Sequence, residues 1–230
     1  MAKANRTKDK VEQPELEGMP PAPVTLIGFG HKAQSGKDTA AEILVAEYGW
    51  VQLGFSDALK ELALFVNPVV EGHNHRMDST FRRQGFTWEE LKRIPEVRRF
   101  LQFLGEGARQ ILGQDVWVDA LRRRLIPLGE DGIVPGIVIT DMRYPNEARM
   151  IQELGGTTVR VDREGAGAGN YISETALDGF DYDVVFDNNH SKGLLWDQVE
   201  ALIGAIDEDE LQSRIDAYVQ AQSDEADSEG

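Results

Sequence analysis

The reading of this chain turns on one stretch, Val24-Thr-Leu-Ile-Gly-Phe-Gly30-His-Lys-Ala-Gln-Ser-Gly36-Lys37-Asp38-Thr39. Val24–Gly30 is a short apolar run rich in β-formers that ends in glycine, and Lys37–Tyr48 has helical spacing through Ala41, Ile43, Leu44 and Val45. A glycine-bearing loop that leaves a strand and opens a helix is the setting a Walker A phosphate loop requires. Small residues there let backbone N–H groups approach phosphate oxygens, and the helix N-terminus adds positive potential. Gly30, Ser35, Gly36, Lys37, Asp38 and Thr39 are therefore candidate nucleotide-binding residues, with the Lys37 ammonium directed at the β- and γ-phosphates. The spacing departs from G-x-x-x-x-G-K-[ST]. His31 stands at the first position, and Asp38 stands where a magnesium-binding hydroxyl is expected, with Thr39 next. A carboxylate is a hard-oxygen ligand that suits magnesium. The plain alternative is an ordinary strand–glycine–helix turn.

Outward from this loop, strand patterns recur at Trp50–Phe55, Ile137–Thr140, Thr157–Val161 and Val184–Phe186. Helices fit at about 57–66, 95–113, 116–126, 145–154 and 193–206. Strands alternating with helices predict an α/β fold with a five-stranded parallel sheet between helical layers. Residues 67–94 lack a strand pattern and contain Pro68, Gly72 and Gly85, so they read as an insertion beside the sheet. The expected organisation is a polar arm over 1–22, a phosphate-loop domain over 23–206 and an acidic helix and tail over 207–230.

The net charge of −16 is unevenly placed: about half falls in 207–230, where Arg214 is the one basic residue, and the arm is neutral. An acidic body argues against nonspecific nucleic-acid binding, which draws its affinity from Lys and Arg on phosphates. It does not exclude a nucleotide, which needs only a few local donors. No run of about 18 apolar residues suggests a membrane span, and the N-terminus lacks the apolar segment of a secretory signal. Cysteine is absent, which excludes disulfides and thiolate zinc sites. These features fit a soluble cytoplasmic protein, in host cytoplasm if the chain is viral, and a homodimer is compatible with them.

Ile137-Val-Ile-Thr-Asp141 is a second signal, because in phosphate-loop proteins a buried strand ending in an acid carries the magnesium-region carboxylate. Arg143 follows two residues later, and its planar fork suits phosphate oxygens; the plain alternative is an ion pair with Glu147. Of the arginines near predicted loops, Arg109, Arg143 and Arg163 are the candidates to meet transferring phosphate.

In order, Ser35-Gly-Lys-Asp-Thr39, Phe55-Ser-Asp-Ala-Leu-Lys60, Leu101-Gln-Phe-Leu-Gly105 with Arg109 and Trp117, Asp141-Met-Arg-Tyr-Pro-Asn-Glu147 and Ser173-Glu174 resemble the successive blocks of phage-type deoxynucleoside monophosphate kinases. The block Asp141–Glu147 is the most specific of these. The resemblance spans about 24–203 and implies a P-loop nucleoside-monophosphate-kinase fold with an acceptor-binding insertion over about 56–117 and a short lid over about 163–181. It implies that ATP and magnesium are used, with Asp38, Thr39 and Asp141 around the metal. Asp57, Lys60, Gln102 and Arg109 would line the acceptor pocket, and Arg143, Asn146, Glu147 and Glu174 would orient phosphate or acceptor. Arg163 would enter from the lid edge on the donor side. Ala58 stands where the family often has proline. Two other readings stay open: a kinase of another phosphorylated metabolite, such as phosphomevalonate or dephospho-coenzyme A, and a nucleotide-binding regulator without metabolite kinase activity.

Overall fold

The computed structural model describes residues 24–70, 75–78, 85–130, 134–167 and 175–207. Residues 23–203 form one compact unit; of the other unit, made of 1–22 and 204–230, only 204–207 are described. The expected N-terminal arm, Glu174, and the acidic tail beyond 207 thus lie outside the described residues.

Five strands make one sheet: β1 (Thr25–Gly30), β2 (Val51–Leu53), β5 (Gly136–Met142), β6 (Thr157–Asp162) and β7 (Val184–Asp187). Their order is β2-β5-β1-β6-β7, and every neighbouring pair is parallel. β1 is central, with Ile27 opposite Val138 on one side and Thr157 on the other. Buried on both faces, β1 and β5 are continuous apolar runs rather than alternating ones, as parallel strands under two helical layers must be.

The helices are α1 (Lys37–Tyr48), α2 (Ser56–Val66), α3 (Trp88–Leu91), α4 (Pro95–Leu112), α5 (Val116–Glu130), α6 (Pro145–Glu153) and α7 over 192–207. α1 packs on β5 and β2, whereas α6 packs on β1 and β6. The crossover from β1 through α1 moves toward β2, and that from β5 through α6 moves the opposite way. Right-handed crossovers then put the two helices on opposite faces, giving the expected three-layer sandwich. Leu26, Ile137, Ile139 and Met142 of the sheet join Ala148, Met150 and Ile151 of α6 and Val118 and Leu121 of α5 in one core. Among the described residues no helix is long and apolar enough to cross a membrane.

Three elements differ from expectation. β2 stops at Leu53, because Gly54 and Phe55 donate their N–H groups to Asp57 and Asp141 and turn into α2. α5 runs through Pro127 to Glu130, past the expected end at about 126. A proline near a helix end removes one hydrogen bond from a turn with few partners left to lose. The stretch 67–94, read as strandless, contains a two-residue antiparallel pair, β3 (Val69–Val70) and β4 (His75–Arg76). It also contains α3, which a Thr87/Glu90 capping box starts. Val70, Met77 and Leu91 pack with Ala63, Val97 and Leu101 into a second, smaller core beside the sheet.

Candidate functional site

The loop from His31 to Gly36 joins β1 to α1 with three left-handed residues, His31 (φ 82°), Gln34 (φ 63°) and Gly36 (φ 109°). Such changes of hand turn successive N–H groups toward one concavity, a nest suited to anions. The left-handed state costs a residue with a β-carbon roughly 1–2 kcal/mol, so His31 holds by strain a conformation that glycine supplies at no steric cost. Gly30 is glycine for packing: a β-carbon there would lie 2.5 Å from Met142 Cε and 2.7 Å from Tyr182 Oη. Gly36 is glycine for both reasons, since its β-carbon would also come within 2.2 Å of Asn188 Nδ2. Lys37 opens α1 and is 7% exposed. Its Nζ donates to the carbonyls of His31, at 3.3 Å, and of Lys32, so the ammonium lies across the loop. Ser35 is fully buried, and its Oγ has no hydrogen-bond partner among the described residues. Asp38 is exposed and Thr39 half-buried on the first turn of α1.

Beside the loop lies a pocket of about 460 Å³ lined by His31, Lys32, Asp162, Arg163, Glu164, Gly165, Ala166 and Asn189. Arg163 is exposed and lines this pocket. The His31 ring stands between two carboxylates, with Nδ1 3.3 Å from Asp162 Oδ1 and Nε2 3.5 Å from Asp178 Oδ1. Burial pushes the imidazole pKa below its ordinary value despite the opposing pull of Asp162. Gly167 donates its N–H to Ala33 O at 3.1 Å, joining the start of the expected lid to the loop.

On the other side, at the end of β5, Asp141 accepts from Phe55 N (2.8 Å, Oδ1) and Ser56 N (2.9 Å, Oδ2). It therefore caps the N-terminus of α2, where a carboxylate is favoured by the open N–H groups and the helix dipole. Asp57 accepts from Gly54 N at 2.8 Å and pairs with Lys60 at 2.9 Å, so the two acceptor-side candidates meet on one turn. Gln102 is exposed on α4. Asn146 donates to Gln114 O (3.1 Å) and Asp115 Oδ1 (2.8 Å), holding the α4–α5 turn.

Arg109 and Glu147 do not stand open to a ligand. Arg109 Nη2 meets Glu147 Oε1 at 2.5 Å, its Nη1 donates to Gln114 O at 3.1 Å, and its guanidinium lies 4.0 Å over the Tyr144 ring. The other Glu147 oxygen accepts from Arg143 N and Tyr144 N at 2.7 and 3.1 Å. Burial pushes the Glu147 carboxyl up to about 7, against the Arg143 N–H and the Arg109 charge. The partner of Glu147 is thus Arg109 and the Arg143 backbone, while the Arg143 side chain is exposed. Among the described residues no cluster of three or more His, Asp and Glu could hold a metal unaided. A magnesium ion held by Asp38 or Thr39 fits a site where phosphate oxygens complete the shell.

A protein of Acanthamoeba polyphaga mimivirus named "Putative deoxynucleotide monophosphate kinase" is 30% identical over 207 residues, covering 76% of this chain and 94% of its own. The chain belongs to the deoxynucleoside monophosphate kinase family. No family model matches it. Among solved structures, an unliganded sugar kinase from Janibacter sp. HTCC2649 is 15% identical, with TM-score 0.43, covering 79% of this chain and 95% of its own. A gluconokinase from Sinorhizobium meliloti 1021 is 14% identical, with TM-score 0.39, covering 83% and 97%.

Within this chain the loop, Asp141, Arg163 and the Asp187–Asn189 turn all lie at the carboxyl ends of the parallel strands, where open α/β sheets take their ligands. Asn188, Asn189, Asp162 and Asp178 join the site although the sequence did not single them out. Their signal was slight: an Asn-Asn pair, an acid at a strand end and another in a turn, where such residues are common.

Proposed function

We propose that this chain transfers the γ-phosphoryl group of ATP to the 5′-phosphate of a deoxynucleoside monophosphate. The observation that carries the reading is the left-handed loop His31–Gly36 closing on the buried Lys37, on the same sheet edge as the Asp141–Glu147 block. The name borne by the mimivirus relative supports the choice of acceptor.

In this mechanism the loop N–H groups and Lys37 hold the donor phosphates. Asp38 and Thr39 would hold magnesium, which would supply neutralising charge for the phosphate oxygens. Asp141 serves that region from the end of β5 while keeping the Phe55–Asp57 turn in place. An oxygen of the acceptor phosphate attacks the γ-phosphorus, the bond to the β–γ bridging oxygen breaks, and ADP leaves. The acceptor oxygen is already anionic, so positioning and charge stabilisation dominate and no strong base is needed. Arg143 and Arg163 are the exposed cations assigned to the transferring group. Asp57, Lys60 and Gln102 face the acceptor within the 56–117 insertion, and the 163–181 segment is the lid. Arg109, Asn146 and Glu147 act on the acceptor by fixing the turns around it, rather than through Arg109 gripping the phosphate.

An acceptor panel with ATP and magnesium tests this reading. Phosphorylation of one or more deoxynucleoside monophosphates, with little ATP hydrolysis in their absence, is expected. Turnover on phosphomevalonate or dephospho-coenzyme A alone would replace the acceptor, and ATP binding without any acceptor-dependent turnover would replace the activity.

A further inference from the structure

The end of β7 carries three successive polar residues, Asp187, Asn188 and Asn189, and one of them acts on the phosphate loop directly. Asn188 Nδ2 donates to the Ser35 carbonyl at 2.7 Å, across 153 positions of chain. The backbone N–H of Asn188 donates to Asp162 O at 2.8 Å, which anchors this residue to the end of the neighbouring strand. The same Asn188 nitrogen stands 2.2 Å from where a Gly36 β-carbon would be. Asn188 therefore holds the carbonyl of the Ser35–Gly36 peptide and denies residue 36 a side chain.

A trans peptide is planar, and its C=O and N–H point in opposite directions. With Ser35 O held on Asn188, the Gly36 N–H must point away from Asn188. Gly36, at φ 109°, has the backbone freedom to rotate that peptide if nothing holds it. We propose that Asn188 is a positioning residue that fixes the Gly36 N–H as a donor to the polyphosphate of the nucleotide. The proposal rests on reading 30–39 as a phosphate loop. Its ligand chemistry is the phosphate chain and not the base, since the bond Asn188 makes bears on the Ser35–Gly36 peptide of the loop. A preset donor saves the ligand the cost of ordering it, which is the usual gain from preorganisation.

The test uses the full chain with magnesium, and two probes: ATP and inorganic tripolyphosphate, which lacks the base. Asn188→Ala removes the donor; Asn188→Asp keeps its shape and replaces the donor with a carboxylate that cannot bond a carbonyl. Both variants should weaken ATP and tripolyphosphate by the same factor, about tenfold or more, the factor that 1.4 kcal/mol produces. The Michaelis constant for the acceptor should not move. In ¹⁵N spectra, tripolyphosphate should shift the Gly36 amide of the wild type and leave it nearly still in the variants. If the wild type binds both probes and the variants bind them equally well, Asn188 is structural only and the proposal is overturned, even where melting temperature falls. If the wild type binds neither probe, the phosphate-loop reading falls and takes the proposal with it. Should Asn188→Ala fail to fold, the isosteric Asn188→Asp decides.

Discussion

Arg109 and Glu147 form a buried ion pair, 2.5 Å from Nη2 to Oε1, that ties the last turn of α4 to the first turn of α6. Both side chains are under 10% exposed. Removing one partner of such a pair strands a buried charge and costs about 3–5 kcal/mol. Arg109→Ala should therefore lower the free energy of unfolding by that order, and Arg109→Lys, which cannot serve Glu147 and Gln114 O with one planar fork, by less. Chemical unfolding of the variants checks this. If both unfold like the wild type while the acceptor Michaelis constant rises, Arg109 is a ligand-gripping residue after all.

Glu147 gives stability a pH dependence whose sign is set. Burial raises its carboxyl from the ordinary 4.5 to about 7, so the folded chain holds this proton more tightly than the unfolded chain. The stability that the proton contributes is full below about pH 4.5 and is lost as pH rises through about 7. Glu147→Gln has no such proton and should flatten that part of the stability curve. Denaturant midpoints at half-unit pH steps measure it; parallel curves for the two proteins would show that another group is responsible.

Lys37→Ala should cut turnover about 10²-fold or more, the loss typical of removing one donor from transferring charge. The fold should survive, since the Lys37 ammonium donates to carbonyls of the loop itself, those of His31 and Lys32. Near-normal kcat in a folded variant would remove Lys37 from the phosphate site.

His31 carries strain at φ 82° and carboxylate contacts to Asp162 and Asp178. His31→Ala loses the contacts and keeps the strain, whereas His31→Gly loses the contacts and relieves it. The glycine variant should be more stable than the alanine variant by about 1–2 kcal/mol, the cost of a left-handed residue with a β-carbon. Equal midpoints for the two would mean that the loop relaxes when the ring is removed.

The strands and helices of the sheet were legible because each follows from periodicity between near neighbours: the apolar run Ile137–Thr140, the helical spacing of Lys37–Tyr48. The β3–β4 pair was not, since two residues per strand carry no period. Thr87-Trp-Glu-Glu90 did carry the capping-box signal for α3, and went unread because a four-residue helix offers no apolar face to confirm it.

By itself the sequence determined the order of strands and helices and the place of the phosphate loop between β1 and α1, because these depend on backbone preferences and spacing along the chain. Only the tertiary structure decided what the Asp141–Glu147 block does. Its carboxylates face partners 86 and 38 positions away, Phe55 N for Asp141 and Arg109 for Glu147, and burial turns them toward those partners. Asn188 on Ser35 is the extreme case, a contact across 153 positions. A hydrogen bond of that span leaves no periodic trace in the chain, since its two ends are brought together by the parallel sheet and not by any local preference of either residue.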